Sequence, residues 1–315
     1  MKIQDFFSIQ AGEIESPVVT IGMFDGIHLG HKNLLNHLKS AAQQMGGESV
    51  VITFPEHPRK ILENKNIPSI VPFEKKLHLI ETQGIQRCLV INFDPKIASI
   101  HAHIFIEEYL IKKLGMSGIV AGKNFRFGNQ GIGDMEVLKE FSLKYGYSIW
   151  EIETLKEQDK EIISSTNIRK AVLSGDMEKA EAMLGRPFSL IGKVVLGKQR
   201  GRKLGFPTAN LMLYHDLLPP EGVYCGYSII ENRTYPALIS IGRCPTFKEE
   251  KDLKIEVYFF GFSGNLYDST QETFVCKKIR EQKTFSSVEH LCQQMEKDKE
   301  YLLDFFDRQK FFDIT

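Results

Sequence analysis

VVTIGMFDGIHLGH, residues 18–31, decides the fold of the first half of this chain. Its four leading residues are apolar or β-branched and predict a buried strand. Gly22 and Gly26 predict a turn in which the backbone can approach a ligand closely. His28 and His31 follow at the start of a helical pattern. Because they are three residues apart, both imidazoles lie on one helix face, beside an N-terminus that attracts anions. The stretch therefore predicts a phosphate site.

The residues of this stretch disfavour two other interpretations. No Gly-Lys-Ser/Thr follows the glycines, so the turn is not a P-loop. An ordinary strand–turn–helix corner with solvated histidines is disfavoured, because two glycines and two histidines fall together in one short turn.

Size and composition bound the class of protein. A chain of 315 residues is expected to form two domains, each with its own core. Lys and Arg number 40, as do Asp and Glu, which gives no sign of a nucleic-acid surface. No apolar run reaches membrane-spanning length, no signal peptide is recognisable, and the five scattered cysteines are typical of reduced thiols. These features predict a soluble, cytoplasmic protein.

The first half alternates between strand and helix patterns. Strands are predicted at residues 18–21, 49–54, 88–93, 118–122 and 147–153, with helical stripes between them. Such β–α repeats imply a parallel sheet covered on both faces, with ligands at the carboxyl ends of the strands. Three more segments are expected at that edge: residues 54–58 (FPEHP), 122–128 (GKNFRFG) and 164–170 (SSTNIRK).

The last of these segments predicts a second anion site. Ser165 and Thr166 carry hydroxyls suited to a helix start, although capping alone is their commoner use. Arg169, one turn into that helix, is unfavourable beside the positive end of the helix dipole, which slightly favours a bound anion as its reason.

A domain boundary is predicted after residue 184, giving domains of residues 1–184 and 185–315. Beyond it, short strands are predicted at residues 191–196, 222–230, 235–241, 254–260 and 273–279. This spacing predicts a small β-barrel or a sandwich, closed by a long helix over residues 286–312.

The second domain has its own chemical stretch, GKQRGRKLGFPTAN, residues 197–210. Its three glycines and four cations could cradle phosphate, and Thr208 and Asn210 offer the hard oxygen donors that Mg²⁺ prefers. An exposed basic turn between strands is the open alternative. Glu256 falls within an apolar strand, where a charge is often only the solvent-facing side.

With these motifs the chain resembles the prokaryotic bifunctional riboflavin kinase/FAD synthetase family over nearly its whole length. The family pattern GxFDGxHxGH is matched at residues 22–31, SSTxIR at 164–169, a flavin-side loop at 124–128, and GRxLGFPTAN at 201–210. The resemblance implies a Rossmann-like nucleotidyltransferase domain, a parallel sheet with helices on both faces. A small riboflavin-kinase β-barrel with a C-terminal helix would follow it.

The same resemblance implies two ATP-dependent reactions on small molecules. The second domain would phosphorylate riboflavin to FMN, with Glu256 as general base and Mg²⁺ held by Thr208 and Asn210. The first would adenylylate FMN to FAD and release pyrophosphate, with His28 and His31 stabilising the transferring group. The resemblance also implies residues that contact ATP: Gly22, Phe24, Asp25, Gly30, Ser165, Thr166, Arg169, Gly197, Gly201, Arg202 and Gly205. It implies a second set that contacts flavin: Phe54, Asn124, Phe125, Arg280 and Phe285. Neither nucleic acid nor membrane is expected as a partner.

Several positions depart from the family pattern without touching its phosphate or metal motifs. They are the Pro55-Glu56 pair in a loop that usually reads TFxPHP, Ser240 for a frequent Asn, Cys244 for a frequent Arg, Asp268 for a usual Gly, and Gln282 for a frequent acid. They concern flavin affinity and loop geometry. Two alternative functions are a kinase with an inactive first domain and a non-catalytic flavin or nucleotide sensor. The intact motifs and Glu256 argue against both.

Overall fold

The computed structural model describes residues 1–62, 65–156, 161–197, 201, 205–243 and 253–308. The chain divides into two compact units. The first consists of Met1–Ile67 and Phe73–Ser165, and the second of Pro68–Pro72 and Thr166–Thr315.

The first unit is built on a parallel six-stranded sheet. Its strands are β1 (Lys2–Asp5), β2 (Val18–Ile21), β3 (Ser49–Thr53), β4 (Arg87–Val90), β5 (Gly118–Gly122) and β6 (Ser148–Ile152). The spatial order is β1-β4-β3-β2-β5-β6, and every neighbouring pair is parallel. The predicted parallel sheet is confirmed, with the edge strand β1 added.

Helices cover both faces of this sheet. They are α1 (Leu29–Gln44), α2 (Pro58–Leu62), α3 (Phe73–Thr82), α4 (Pro95–Ala98), α5 (Ala102–Ile104), which continues as a π-helix (Phe105–Lys113), and α6 (Met135–Tyr145). Successive strand residues point to opposite faces, so Val18 packs in the core under α1 and α3, and Val19 in the core under the π-helix and α6.

Strand β2 lies where the direction of the chain through the sheet reverses. It pairs with β3 on one side and with β5 on the other. The connections that leave β2 and β5 therefore separate at its carboxyl end and open a crevice, the usual ligand site of such sheets. Residues 22–28, which carry the first motif, follow β2 there.

The second unit is a closed six-stranded barrel with helices against it. Helix α7 (Ser165–Ser174) begins at the last residue of the first unit, and α8 (Met177–Leu184) precedes the barrel. The strands are β7 (Phe188–Val195), β8 (Ala209–Leu213), β9 (Gly222–Ile230), β10 (Arg233–Arg243), β11 (Leu253–Phe259) and β12 (Thr270–Arg280), in the order β10-β11-β8-β7-β12-β9. All pairs are antiparallel, and β9 closes the barrel onto β10.

The long C-terminal helix α9 (Val288–Arg308) packs on the barrel through buried Leu302 and Phe306. Its predicted end at residue 312 lies outside the described residues. Of the two predicted architectures, the barrel is confirmed. No helix in the described ranges is long and apolar enough to cross a membrane.

Candidate active sites

The turn after β2 is held in an unusual backbone conformation. Phe24 and Ile27 have φ angles of 49° and 39°, and Gly26 has 83°. Residues other than glycine rarely adopt such φ angles, and this backbone conformation persists only where the surrounding structure holds it. Here Asp25 is buried, and its carbonyl accepts a hydrogen bond from Ser165 Oγ at 3.0 Å. The turn is therefore a rigid platform at the carboxyl end of the sheet.

His28 is the N-cap of α1. Its Nδ1 accepts a hydrogen bond from the His31 backbone N–H at 3.2 Å. A neutral imidazole that accepts at Nδ1 carries its proton on Nε2. His28 Nε2 is therefore a donor beside the helix N-terminus, as an anion site requires.

His31 lies directly against His28. The two rings stack with centroids 3.6 Å apart and an interplanar angle of 17°, and Phe24 flanks His31 at 5.1 Å. Burial lowers the pKa of His31 well below its usual range, and the neighbouring His28 and Lys76 lower it further. Its buried Nδ1 has no hydrogen-bond partner among the described residues, which is typical of a position completed by a ligand. A Cβ on Gly30 would lie 3.1 Å from the His28 ring, so this stacked pair favours glycine there.

The predicted flavin contacts of the first unit follow β3 and β5. Phe125 stacks on Phe127 at 5.3 Å and 14°, which forms a flat aromatic surface, while Asn124 is exposed. Phe54 meets Phe93 edge-on at 5.8 Å. Phe54 and Phe125 are both partly buried against the same core of the sheet.

The SSTNIR segment is divided between the two units. Ser165 contacts the Asp25 carbonyl and so belongs with the histidine turn. Thr166 is exposed, and Arg169 Nε donates to the Pro68 carbonyl at 2.7 Å, within the second unit. Their predicted contacts with ATP stay predictions.

The barrel places Glu256 between two polar residues of neighbouring strands. On β11 it pairs directly with Asn210 of β8 and with Ser240 of β10. Directly opposed residues project from the same face of a sheet. Thr208, Ser240 and Glu256 line a cavity of 650 Å³, whose wall also includes Phe285.

A second cavity adjoins the first. It measures 480 Å³ and is lined by Pro207, Thr208, Phe259 and residues 262–267. Thr208 belongs to the walls of both cavities. Thr208 is therefore within reach of a ligand in either cavity.

The glycines of residues 197–210 are required by close approach or by backbone conformation. A Cβ on Gly197 would lie 2.1 Å from Asn210 Nδ2, and one on Gly201 would lie 2.3 Å from the Phe206 carbonyl oxygen. Gly205 has a φ of +84°. Arg202, the remaining predicted ATP contact in this loop, lies outside the described residues.

Arg280 lines the larger cavity, but its guanidinium is bound by an acid. Its Nε and Nη2 donate to the Asp298 carboxylate at 2.7–3.1 Å, and Gln294 donates to the same carboxylate at 2.9 Å. Asp298 is 4% exposed. Contact of Arg280 with flavin stays a prediction, while its pairing with Asp298 is a feature that the sequence did not suggest.

Lys76 and Asp298 are buried charges that sequence reasoning missed. Both interrupt an apolar stripe: Lys76 lies between Phe73 and Ile80 on α3, and Asp298 between Met295 and Leu302 on α9. A charge at a core position of a helix was the signal that could have found them.

Two departures from the family pattern contact each other. Gln282 Nε2 donates to Ser240 Oγ at 2.9 Å and to the Ile241 carbonyl at 3.1 Å.

Asp268 has a φ of 66°, in the region that favours the usual glycine, and its carboxylate pairs with Lys193 at 2.8 Å. Cys244 lies outside the described residues.

Fold and sites define a class. A parallel α/β unit with paired histidines at a helix start has the features of a nucleotide-binding domain. The barrel, with a carboxylate in the wall of one of two adjoining cavities, has the features of a second site for group transfer. The chain is a two-site, nucleotide-dependent transferase.

Comparison with known proteins identifies the family. Residues 11–167 match the FAD synthetase family model, and residues 184–306 match the riboflavin kinase model. A bifunctional riboflavin kinase/FMN adenylyltransferase of Buchnera aphidicola subsp. Schizaphis graminum is 39% identical over 92% of this chain and 94% of its own. The enzyme of that name from Bacillus subtilis is 36% identical over 92% of each chain. This chain belongs to the bifunctional riboflavin kinase/FMN adenylyltransferase family.

A solved structure agrees with the fold. A Streptococcus pneumoniae protein, described as a macrolide-efflux protein, superposes with a TM-score of 0.84 and is 31% identical over 95% of this chain and 97% of its own. The predicted fold class and family are confirmed. The riboflavin kinase model begins at residue 184, whereas the compact units divide after Ser165. The domain boundary after residue 184 stays a prediction.

Proposed function

We propose which residues of this chain perform the two reactions of its family, the phosphorylation of riboflavin to FMN and the adenylylation of FMN to FAD. The barrel carries the first reaction and the parallel-sheet unit the second. Substrates are riboflavin, FMN and ATP. The composition and the use of ATP favour the cytoplasm as the place of both reactions.

One observation carries the kinase assignment: Thr208 borders both cavities of the barrel. Riboflavin occupies the 650 Å³ cavity with its ribityl 5′-hydroxyl toward Glu256, and ATP occupies the 480 Å³ cavity. Glu256 accepts the hydroxyl proton while the oxygen attacks the γ-phosphorus and ADP leaves.

Mg²⁺ fits the residues at this junction. Hydroxyl and amide oxygens of Thr208 and Asn210 are hard donors, and Mg²⁺ commonly takes only one or two protein ligands beside phosphate oxygens and water. When bound, the ion neutralises charge on the phosphates. Of the two donors, Thr208 lines both cavities, whereas Asn210 lies opposite Glu256 in the strand pairing and packs closely against Gly197.

In adenylyl transfer, the histidine turn stabilises the charge on the transferring group. The FMN phosphate is already ionised and attacks the α-phosphorus of ATP without a strong base, and pyrophosphate leaves. His28 donates from Nε2 to the transferring group, and the N-terminus of α1 adds its dipole. A bound polyphosphate beside the His31 ring favours its protonated form. Phe54, Asn124 and Phe125 contact the isoalloxazine.

A chromatographic time course with riboflavin, excess ATP and Mg²⁺ tests both assignments. FMN rises and then gives way to FAD. Glu256→Gln lowers riboflavin phosphorylation by about 100-fold or more, as loss of a general base does, and leaves FAD formation from added FMN unchanged. Glu231→Gln, an exposed acid in the β9–β10 turn, is the matched control.

The other outcomes are equally definite. A Glu256→Gln enzyme with normal turnover refutes the base assignment. FMN that accumulates without FAD, even when FMN is supplied, indicates an inactive first domain, and flavin binding without ATP consumption indicates a sensor.

A further inference from the structure

Lys76 of α3 is a buried cation that the assigned chemistry does not use. Its side chain is 3% exposed, and Nζ donates to the backbone carbonyls of Met23 at 3.2 Å and Phe54 at 2.6 Å. In the part of the chain that the structure describes, it forms no ion pair with a carboxylate. Burying an ammonium in this way is costly and calls for a reason.

The two acceptors belong to the two loops that carry the ligands. Met23 precedes the positive-φ residue Phe24 in the turn after β2, and Phe54 is the first residue after β3. Thr53 Oγ1 also donates to the Met23 carbonyl, at 3.3 Å. Lys76 therefore fixes the distance between the turn assigned to ATP and the loop assigned to flavin.

We propose that Lys76 is a positioning residue for adenylyl transfer, which ties the ATP turn to the flavin loop so that the FMN phosphate is aligned with the α-phosphorus of ATP. The proposal rests on the adenylyltransferase function proposed above. Misplacement of reacting groups by about 1 Å lowers the rate by about 100-fold, so a side chain that holds the two loops together has a large effect on the rate.

The charge state of Lys76 gives this role a distinctive signature. Burial lowers the pKa of Lys76 to about 8, although Asp25 and the Cys88 thiol oppose the shift. His31 is the other titratable group that faces it. The pKa of Cys88 is raised to about 12 by burial, so its thiol is neutral and Asp25 is the facing anion. As pH rises above about 8, the ammonium loses its charge and its two hydrogen bonds weaken.

The expected loss of activity is not a loss of stability. Between about pH 8 and the ordinary lysine pKa, the unfolded chain binds more protons at Lys76 than the folded chain does. This group therefore makes the free energy of unfolding rise with pH in that window.

The test uses the full-length chain and compares Lys76→Met with Lys76→Arg. Lys76→Met keeps the buried volume without the charge and should fold, because methionine adapts to irregular apolar space. We expect kcat/KM for FMN adenylylation to fall by about 10- to 100-fold, with riboflavin phosphorylation by the same variant unchanged. Wild-type kcat/KM should decline above about pH 8. Lys76→Met should lack that decline, and Lys76→Arg should regain activity and shift the decline to higher pH.

Control experiments distinguish a failure of the positioning role from a failure of the proposed function. Lys112→Met removes an exposed lysine of the same unit and should change neither reaction. A Lys76→Met enzyme with wild-type kcat/KM, or one that loses both reactions equally, overturns the positioning role. A wild-type chain that makes no FAD from FMN and ATP overturns the proposed function instead.

Discussion

At the scale of single residues, Ser240 and Gln282 are two departures from the family pattern that contact each other, and we expect each to compensate for the other. Both line the riboflavin-sized cavity beside Glu256. The Gln282 amide must direct its NH₂ group to the Gly222 and Ile241 carbonyls, since both are acceptors only, and the same NH₂ reaches Ser240 Oγ. A carboxylate at this position would face the same carbonyls without a donor. The glutamine is therefore matched to the serine.

We predict that Gln282→Glu raises KM for riboflavin by about 10-fold, since unpaired polar groups at a site cost about 1–3 kcal/mol. The double variant Ser240→Asn/Gln282→Glu should recover affinity, because an asparagine amide can donate to the new carboxylate. Steady-state kinetics of the two single variants and the double variant measure the coupling. Independent effects of the two substitutions would refute the compensation.

At the scale of elements, the pair Arg280–Asp298 fastens α9 to β12 beside the same cavity. The side chains are 14% and 4% exposed, and the contact is bidentate. Such a planar fork fixes orientation as well as distance. Helix α9 is therefore held in register with β12, the strand that ends at Arg280.

Asp298→Ala should lower the free energy of unfolding of the barrel unit by about 3 kcal/mol, because it leaves a buried guanidinium without its partner. Thermal unfolding followed by far-ultraviolet circular dichroism measures the loss. Fluorescence of Trp150, the one tryptophan of the sequence, reports on the first unit and should keep its transition. Asp304→Ala, which removes an exposed pair with Arg308 on the same helix, should have little effect. An Asp298→Ala protein with an unshifted barrel transition would contradict this role.

The elements also show which patterns could be predicted. Strands β2 and β5 begin and end where the sequence predicts, since their apolar runs are local signals. Strand β8 was missed because its approach, Phe206 to Asn210, has the proline and polar residues of a turn, and its strand conformation comes from pairing with β7 and β11. The polar edge strand β1 likewise depends on β4.

At the scale of the whole molecule, the residues that were predicted lie close together in the sequence, whereas those that were missed are brought to their sites by tertiary packing. Gly22, His28 and His31 lie within one turn, so their spacing alone placed them together. Lys76 and Asp298 reach their sites only after a helix packs against the sheet or the barrel, which spacing along the chain does not record. The histidine turn lies wholly in the first unit and residues 205–210 lie in the second, whereas the SSTNIR segment is divided between the two.

This division leads to a prediction about the intact enzyme. Neither His28→Ala/His31→Ala nor Glu256→Gln alone should convert riboflavin to FAD at the wild-type rate, because each lacks one step by about 100-fold or more. Mixed in equal amounts, the two proteins should restore FAD formation, since FMN released by the first is a substrate for the second. FAD should appear after a lag that shortens as protein concentration rises.

Chromatography of the mixture over time, with His37→Ala in place of the double variant as control, measures this complementation. His37 is exposed on the same helix as His31 and should not be needed. FAD that appears in both mixtures after a lag would locate the two steps on separate sites that exchange FMN through solution. A test mixture that accumulates FMN but no FAD would mean that the two steps require one intact chain.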